Sequence, residues 1–243
     1  LLIAVEGDTG ELVEEAVAEA ERMIRGAIEV KVSKRLPRSL DEALELAPDA
    51  NFVLISVPGK YAKFEALKAL KKGLNVFLFS SNVPIEDEVE LKSYAKEHNL
   101  LLMGPDAGTA IINGVVFGFG NAVGRGPVGI VGAAGTGIQE LTVLLDSLGI
   151  GISHAIGTGS NDVSDLVGGI TAEFALRLLA ADDGTEVIVF ISKPPGEETA
   201  KKLLSVGREL GKSIVMCFLD AEPRLLEHGD NIVYARTICL LYT

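Results

Sequence analysis

The sequence predicts an α/β protein built on mostly parallel sheets. Three observations carry the prediction: short apolar runs alternate with stretches of helical period, polar or glycine-rich turns follow the runs, and the alternation restarts at Gly126–Glu140 after a glycine-rich interval. Apolar runs such as Val187–Ile191 and Ile214–Leu219 suit strands buried on both faces and are far too short to span a membrane as a helix.

Leu1–Val5 reads as a strand and Glu11–Ile24 as an amphipathic helix, with Leu12, Val13, Ala16, Val17, Ala20 and Ile24 as its apolar positions. Between them Gly7–Gly10 suits a tight turn with an N-cap Thr, since Asp8 would repel a phosphate there. Arg25–Arg38, with its Arg, Lys and Pro37, reads as a connector, and Ser39-Leu40-Asp41-Glu42 opens a helix with a capping box. Strand Phe52–Val57, helix Tyr61–Lys71, strand Asn75–Phe79, helix Ile85–His98 and strand Leu100–Met103 follow in regular order. The turns Ser56–Lys60, Phe79–Pro84 and Met103–Gly108 are expected to converge, because the carboxyl ends of parallel strands form the ligand crevice.

Asn113–Arg125 reads as a glycine-rich connection. Strand Val128–Val131, helix Gly137–Leu148, strand Ile152–Ile156, loop Gly157–Asp162 and helix Thr171–Ala181 then begin a second block. Strand Val187–Ser192, helix Glu197–Leu210 and strand Ile214–Leu219 complete it. With a boundary near residue 124, the chain divides into 1–38, a βα segment and connector that ends a preceding domain, then 39–124 and 125–243. The chain opens without Met in a strand-like run, so a longer polypeptide is expected.

A net charge of −12 opposes a nucleic-acid partner, and aromatics at 5% leave little material for base stacking. Cys217 and Cys239 lie in apolar surroundings without metal-ligand spacing, and no targeting segment is evident. The expectation is a cytoplasmic protein with no membrane partner, no metal and a small-molecule substrate.

Gly126–Glu140 combines an apolar strand, a glycine turn and a helix start, which is a backbone arrangement for holding phosphate. Its loop Ala133–Gly137 is neither a Walker A sequence nor a G-x-G-x-x-G fingerprint. Gly132, Gly135 and Gly137 would weaken the element unless the backbone must approach something closely.

Two such blocks, joined through G-P-D-A-G-T-A-I and G-P-V-G-I-V-G-A-A-G-T-G, resemble the alpha subunit of succinyl-CoA synthetase and the related ADP-forming acyl-CoA synthetases. The resemblance is closer to the FdrA-type branch, through Met103–Ile112, Gly129–Glu140, Ser153–Gly159 and Ile191–Pro195, and covers roughly residues 40 to 220. It implies a CoA-binding Rossmann-like domain over 39–124 and a flavodoxin-like ligase domain over 125–243. It also implies CoA contacts at Val57, Pro58 and Gly59, at Ser80, Ser81 and Asn82, and at Gly104, Pro105 and Asp106. A phosphate-bearing ligand would sit at Gly135, Thr136 and Gly137. An ATP-grasp or other nucleotide-binding partner subunit, and an oligomer, are further implications.

The synthetases carry phosphate on a histidine in a G-H-A-G loop, a motif not found in these 243 residues. His98 is expected to cap a helix end and His154 to be a satisfied strand residue, while the acidic flanks of His228 disfavour a phosphoryl group. Where the resemblance implies a carboxylate that orients the histidine, this chain has Lys193, whose charge would favour a bound anion. Three functions stay open at this point. One is a CoA-ligase subunit without the phosphohistidine loop. Another is a subunit of an oxamate carbamoyltransferase handling carbamoyl phosphate, in which Gly135, Thr136, Gly137 and Lys193 hold phosphate or carboxylate and Asn161 and Asp162 position the amide. The third is a non-catalytic CoA-binding or scaffold subunit.

Overall fold

The computed structural model describes residues 8–24, 36–219, 231–235 and 237. The expected strand Leu1–Val5, most of the connector, His228 and Cys239 lie outside them. The chain divides into two compact units, Leu1–Pro48 and Asp49–Thr243.

Among its described residues the first unit holds two helices, α1 (Gly10–Ile24) and α2 (Leu40–Leu46). Thr9 stands before α1 and its hydroxyl accepts from Leu12 N at 3.4 Å, as its N-cap chemistry predicts. Ser39 caps α2 by accepting from Glu42 N at 3.1 Å. The Glu42 carboxylate reaches back one residue further than a capping box does, to Arg38 N at 2.9 Å.

The second unit is an α/β structure with two sheets. The smaller one pairs β1 (Phe52–Ile55), β2 (Asn75–Leu78) and β3 (Leu102–Met103) in parallel, in that order, with α3 (Gly59–Lys71) and α4 (Ile85–Glu97) as crossovers. The larger sheet contains β4 (Thr109–Ile112), β5 (Val115–Gly118), β6 (Arg125–Gly132), β7 (Ile152–Gly157), β8 (Val187–Ser192), β9 (Ser213–Phe218) and β10 (Ile232–Tyr234), in the order β10-β9-β8-β6-β7-β4-β5. From β10 to β7 every pairing is parallel; β4 alone is reversed, pairing antiparallel with both β7 and β5.

The interval expected to be a connection therefore contains a hairpin. Asn113 and Gly114, at φ 51° and 80°, form a two-residue turn that pairs Ile112 with Val115. An Asn-Gly pair between apolar runs is the sequence signal for this turn, and the number of glycines around it obscured it. Both strands precede residue 124 yet belong to the larger sheet, because Ile111 pairs with Ala155 of β7. Phe117 also packs against Phe52 of the smaller sheet, with ring centroids 4.8 Å apart and the rings tilted by 41°.

Helices cover both faces of the larger sheet. Side chains alternate along β8, so Ile188 and Phe190 share one core with Ala172, Leu176 and Leu179 of α6 (Ile170–Ala181) and Ala200 and Leu203 of α7 (Glu197–Glu209). Val189 and Ile191 share the other with Ile138, Leu141 and Leu145 of α5 (Gly135–Ser147). Cys217 lies in this second core, where burial pushes its thiol up to about 11, so it acts as a small apolar side chain. No helix among the described residues is long and apolar enough to cross a membrane.

Glu173 of α6 ties neighbouring helices together, pairing with Lys96 of α4 at 3.1 Å and Lys202 of α7 at 3.0 Å. Burial alone would raise its carboxyl, but hydrogen bonds from Lys202 and Lys96 outweigh burial and hold it at about 2 instead of 4.5. A depressed carboxylate stabilises the fold fully above its unfolded value and loses that contribution as pH falls towards its folded one. Glu173→Gln is therefore expected to lower the urea midpoint at pH 7, with the gap from wild type closing between pH 4.5 and about 2. A gap that persists at pH 2 contradicts this account.

Candidate functional site

The strand order itself selects a place for a ligand. From β6 the chain crosses through α5 to β7 on one side; from β8 it crosses through α7 to β9 on the other. The two crossovers lie on opposite faces, so a crevice opens at the carboxyl ends of β6 and β8, which is the topological switch point of the sheet. Ala133–Gly137 follows β6, and Lys193, exposed, follows β8. The two strand ends are joined where Ala133 N donates to Ile191 O at 3.1 Å.

A Cβ on Gly137 would lie 2.9 Å from Ile191 Cδ1, a close approach to the tip of that side chain. Gly132 is equally confined by Ile138. Gly135 is open, with its nearest neighbour Thr109 Oγ1 at 3.9 Å, and Thr136 is exposed. The glycines thus let α5 pack tightly on the sheet and leave its first turn uncovered.

Among the described residues three helices begin at this edge of the larger sheet, and two of them are already capped from a distance. The Asp162 carboxylate accepts from Thr171 N at 3.1 Å and Ala172 N at 2.8 Å, at the start of α6. Asp165 accepts from Thr199 N at 2.9 Å, at the start of α7, and its carboxyl is held below the usual range first by that bond and then by the Thr199 hydroxyl. The N-cap of α5 is Ala134, which has no side-chain acceptor to offer. Among the described residues no side chain accepts from the first amides of α5, so its positive helix end faces the crevice.

The turns of the smaller sheet do converge. Ser80 is buried and accepts from Val57 N through its hydroxyl at 2.9 Å, while its carbonyl accepts from Asp106 N at 2.9 Å. Gly59 fits against the next two residues, where a Cβ would come within 2.4 Å of both Ser81 O and Asn82 O. Asn82 and Asp106 are left-handed, at φ 57° and 59°, a conformation these two residue types tolerate best after glycine. Gly104, at φ 91°, lies against Leu78 O, and its peptide bond to Pro105 is cis. Val57–Gly59, Ser80–Asn82 and Gly104–Asp106 therefore pack into one contiguous backbone surface, in which Pro58, Ser81, Asn82 and Asp106 are exposed and Ser80, Gly104 and Pro105 are buried.

The loop after β7 meets that surface. A Cβ on Gly159 would lie 2.2 Å from Pro105 O, and Ser160 Oγ donates to Asp106 Oδ2 at 3.0 Å. From the other side, Gln139 Nε2 of α5 donates to Thr109 Oγ1 at 2.8 Å. Residues 104–109 thus connect the turns of the smaller sheet to both the α5 start and the 157–162 loop.

Asn161 and Asp162 are placed differently from a pair that positions a substrate amide. Asp162 is fully buried; besides capping α6 it accepts from Lys92 Nζ at 2.7 Å. Asn161 is half-buried and donates to Glu88 Oε2 at 3.3 Å. Sequence reasoning overlooked Lys92 and Glu88 because an i, i+4 acidic-basic pair on a helix ordinarily marks a solvated face. His98 is the C-cap residue of α4, stacked 4.0 Å from Tyr94. His154, in β7, accepts from Asn113 N at 3.1 Å through Nδ1. No group of three or more His, Cys, Asp or Glu side chains that could hold a metal occurs among the described residues.

Comparison with known proteins agrees with this architecture. A family model described as CoA binding domain matches residues 124–219, from β6 to β9, so it covers the α5 start and not the turns of the smaller sheet. The chain is 44% identical over 220 residues to Uncharacterized protein YahF of Escherichia coli, covering 90% of this chain and 43% of that protein. It is 30% identical over 210 residues to Succinate–CoA ligase [ADP-forming] subunit alpha 2 of Archaeoglobus fulgidus, covering 80% of this chain and 68% of that subunit. Its fold resembles ATP citrate lyase from Methanothrix soehngenii, solved with citrate and coenzyme A, at a TM-score of 0.65 and 16% identity over 82% of this chain and 35% of that one. The chain spans 43% and 55% of the first two curated relatives it matches, YahF and an Aquifex aeolicus alpha subunit. At 30% identity over a stretch that takes in 68% of the Archaeoglobus subunit, the chain belongs to the succinate–CoA ligase alpha-subunit family.

Proposed function

We propose that this chain is the CoA-binding subunit of an ADP-forming CoA ligase-type enzyme, with a phosphate-bearing group or carboxylate held at Gly135–Gly137. The observation that carries the reading is the difference between the three helix starts. Asp162 and Asp165 already supply the negative charge that α6 and α7 favour, whereas α5, at the switch point, takes its anion from outside. Lys193, on the neighbouring strand end, adds a positive charge to the same crevice.

Under this reading residues 39–124 supply the CoA turns and 125–243 the anion site. The neutral backbone surface of Val57–Gly59, Ser80–Asn82 and Gly104–Asp106 receives the CoA, and a nucleotide-binding partner subunit completes the enzyme. Relatives whose names state an activity are ligase subunits, which favours this reading over carbamoyl transfer in the FdrA-type branch. The test is calorimetry of the intact chain with CoA, phosphate and oxamate in separate titrations. Saturable binding of CoA and of phosphate is expected, and oxamate is expected to give no heat without carbamoyl phosphate. Binding of oxamate with none of CoA would move the assignment to carbamoyl transfer.

A further inference from the structure

Three ionisable side chains are buried together where α4 meets the loop after β7: Lys92 and Glu88, each 1% exposed, and Asp162, fully buried. The Lys92 ammonium donates to Asp162 Oδ1 at 2.7 Å and to Thr158 O at 2.8 Å. It also lies 3.0 Å from Glu88 Oε1, an attraction made without a directed hydrogen bond. Glu88 in turn accepts from Asn161 through its other oxygen. One helix therefore grips the loop at Thr158, Asn161 and Asp162.

Buried ion pairs are weak contributors to net stability, since desolvation offsets most of the attraction, and an apolar replacement often serves as well. What this cluster does is fix geometry. α4 begins three residues after Asn82, so the helix that carries Lys92 is anchored in one of the turns of the smaller sheet. The opposite side of the loop rests on another, through Gly159 against Pro105 and Ser160 on Asp106.

We propose that Lys92 is a positioning residue that couples the Ser80–Asn82 and Gly104–Asp106 turns to the Gly157–Asp162 loop, so that a ligand seated on the turns is registered at the loop. The proposal rests on the reading of those turns as the CoA surface. It makes Asp162 a dual partner, capping α6 with its charge while receiving the Lys92 tether.

Hydrogen exchange followed by mass spectrometry on the full chain, with and without CoA, tests it in wild type, Lys92→Met and the double variant Lys92→Met/Glu88→Gln. The double variant removes the negative charge that Lys92→Met leaves without its cation, while Asp162 keeps its two α6 amides. In both variants peptides over 157–169 are expected to exchange at least about tenfold faster, with β8 and β9 unchanged. CoA is expected to slow the turn peptides in all three proteins and the 157–169 peptides in wild type alone. Loop exchange at the wild-type rate in the double variant overturns the proposal, as does a CoA effect on the loop that survives there. If CoA slows no peptide in wild type, the CoA reading falls, and the loop rates of the variants still decide for or against the tether.

Discussion

Gly159→Ala is expected to cost about 3 kcal/mol and to lower Tm by roughly 6–12 °C. Two effects add at this position. The backbone is left-handed at φ 89°, which a side chain opposes, and the new Cβ would stand 2.2 Å from Pro105 O and 3.0 Å from Gly104 Cα. Both obstacles are backbone atoms, so no rotamer change relieves them. For the loop to move away, the Ser160–Asp106 and Lys92–Thr158 bonds must break, which opens the site along with the fold. Gly168→Ala separates the two effects: its φ of 71° is also left-handed, but nothing lies within 4 Å of the added Cβ. Its expected cost is only about 1 kcal/mol, so urea denaturation of the pair measures the close approach itself. Equal costs would mean that the 104–106 turn yields easily and that the crevice is not built on this contact.

Where the sequence was readable, local chemistry and tertiary structure agreed. The parallel strands of the larger sheet were visible in their apolar runs because both faces are buried, and Thr9 and Ser39 were visible because their hydroxyls cap helices. The β4–β5 hairpin was hidden in a stretch where glycine serves several ends: Gly114 makes the turn, while at Gly118, with φ 63°, a Cβ would stand 2.3 Å from Gly108 O. β10 escaped notice because a three-residue strand has no period to detect.

The site was readable in its glycines and turn residues and unreadable in its charges. Close backbone approach demands a particular residue, so Gly59 and Gly104 announced themselves. Asp162 looked like a reactive group because its two α6 amides and its Lys92 partner are brought to it by folding, Lys92 from a position 70 residues away. Remote capping leaves no local signature, and that same feature hid the contrast between α5 and its two neighbours.

That contrast makes Ala134→Asp the second large effect. Ala134 already has the extended backbone of an N-cap residue, φ −133° and ψ 95°, and lacks only the acceptor. An Asp there would place a carboxylate over the first amides of α5, as Asp162 and Asp165 do for α6 and α7. The helix gains its missing cap, worth about 1 kcal/mol, and the crevice loses its anion site. A variant that becomes more stable while losing a ligand cannot be explained as damage to the fold.

The decisive measurement is therefore calorimetric titration of inorganic phosphate into wild type and Ala134→Asp, with urea denaturation of the same preparations. The account predicts saturable binding to wild type, a loss of at least about tenfold in affinity for the variant, and a higher urea midpoint for the variant. Phosphate binding that is absent from wild type, or unchanged in a variant of raised stability, would contradict the assignment of the α5 start as the anion site.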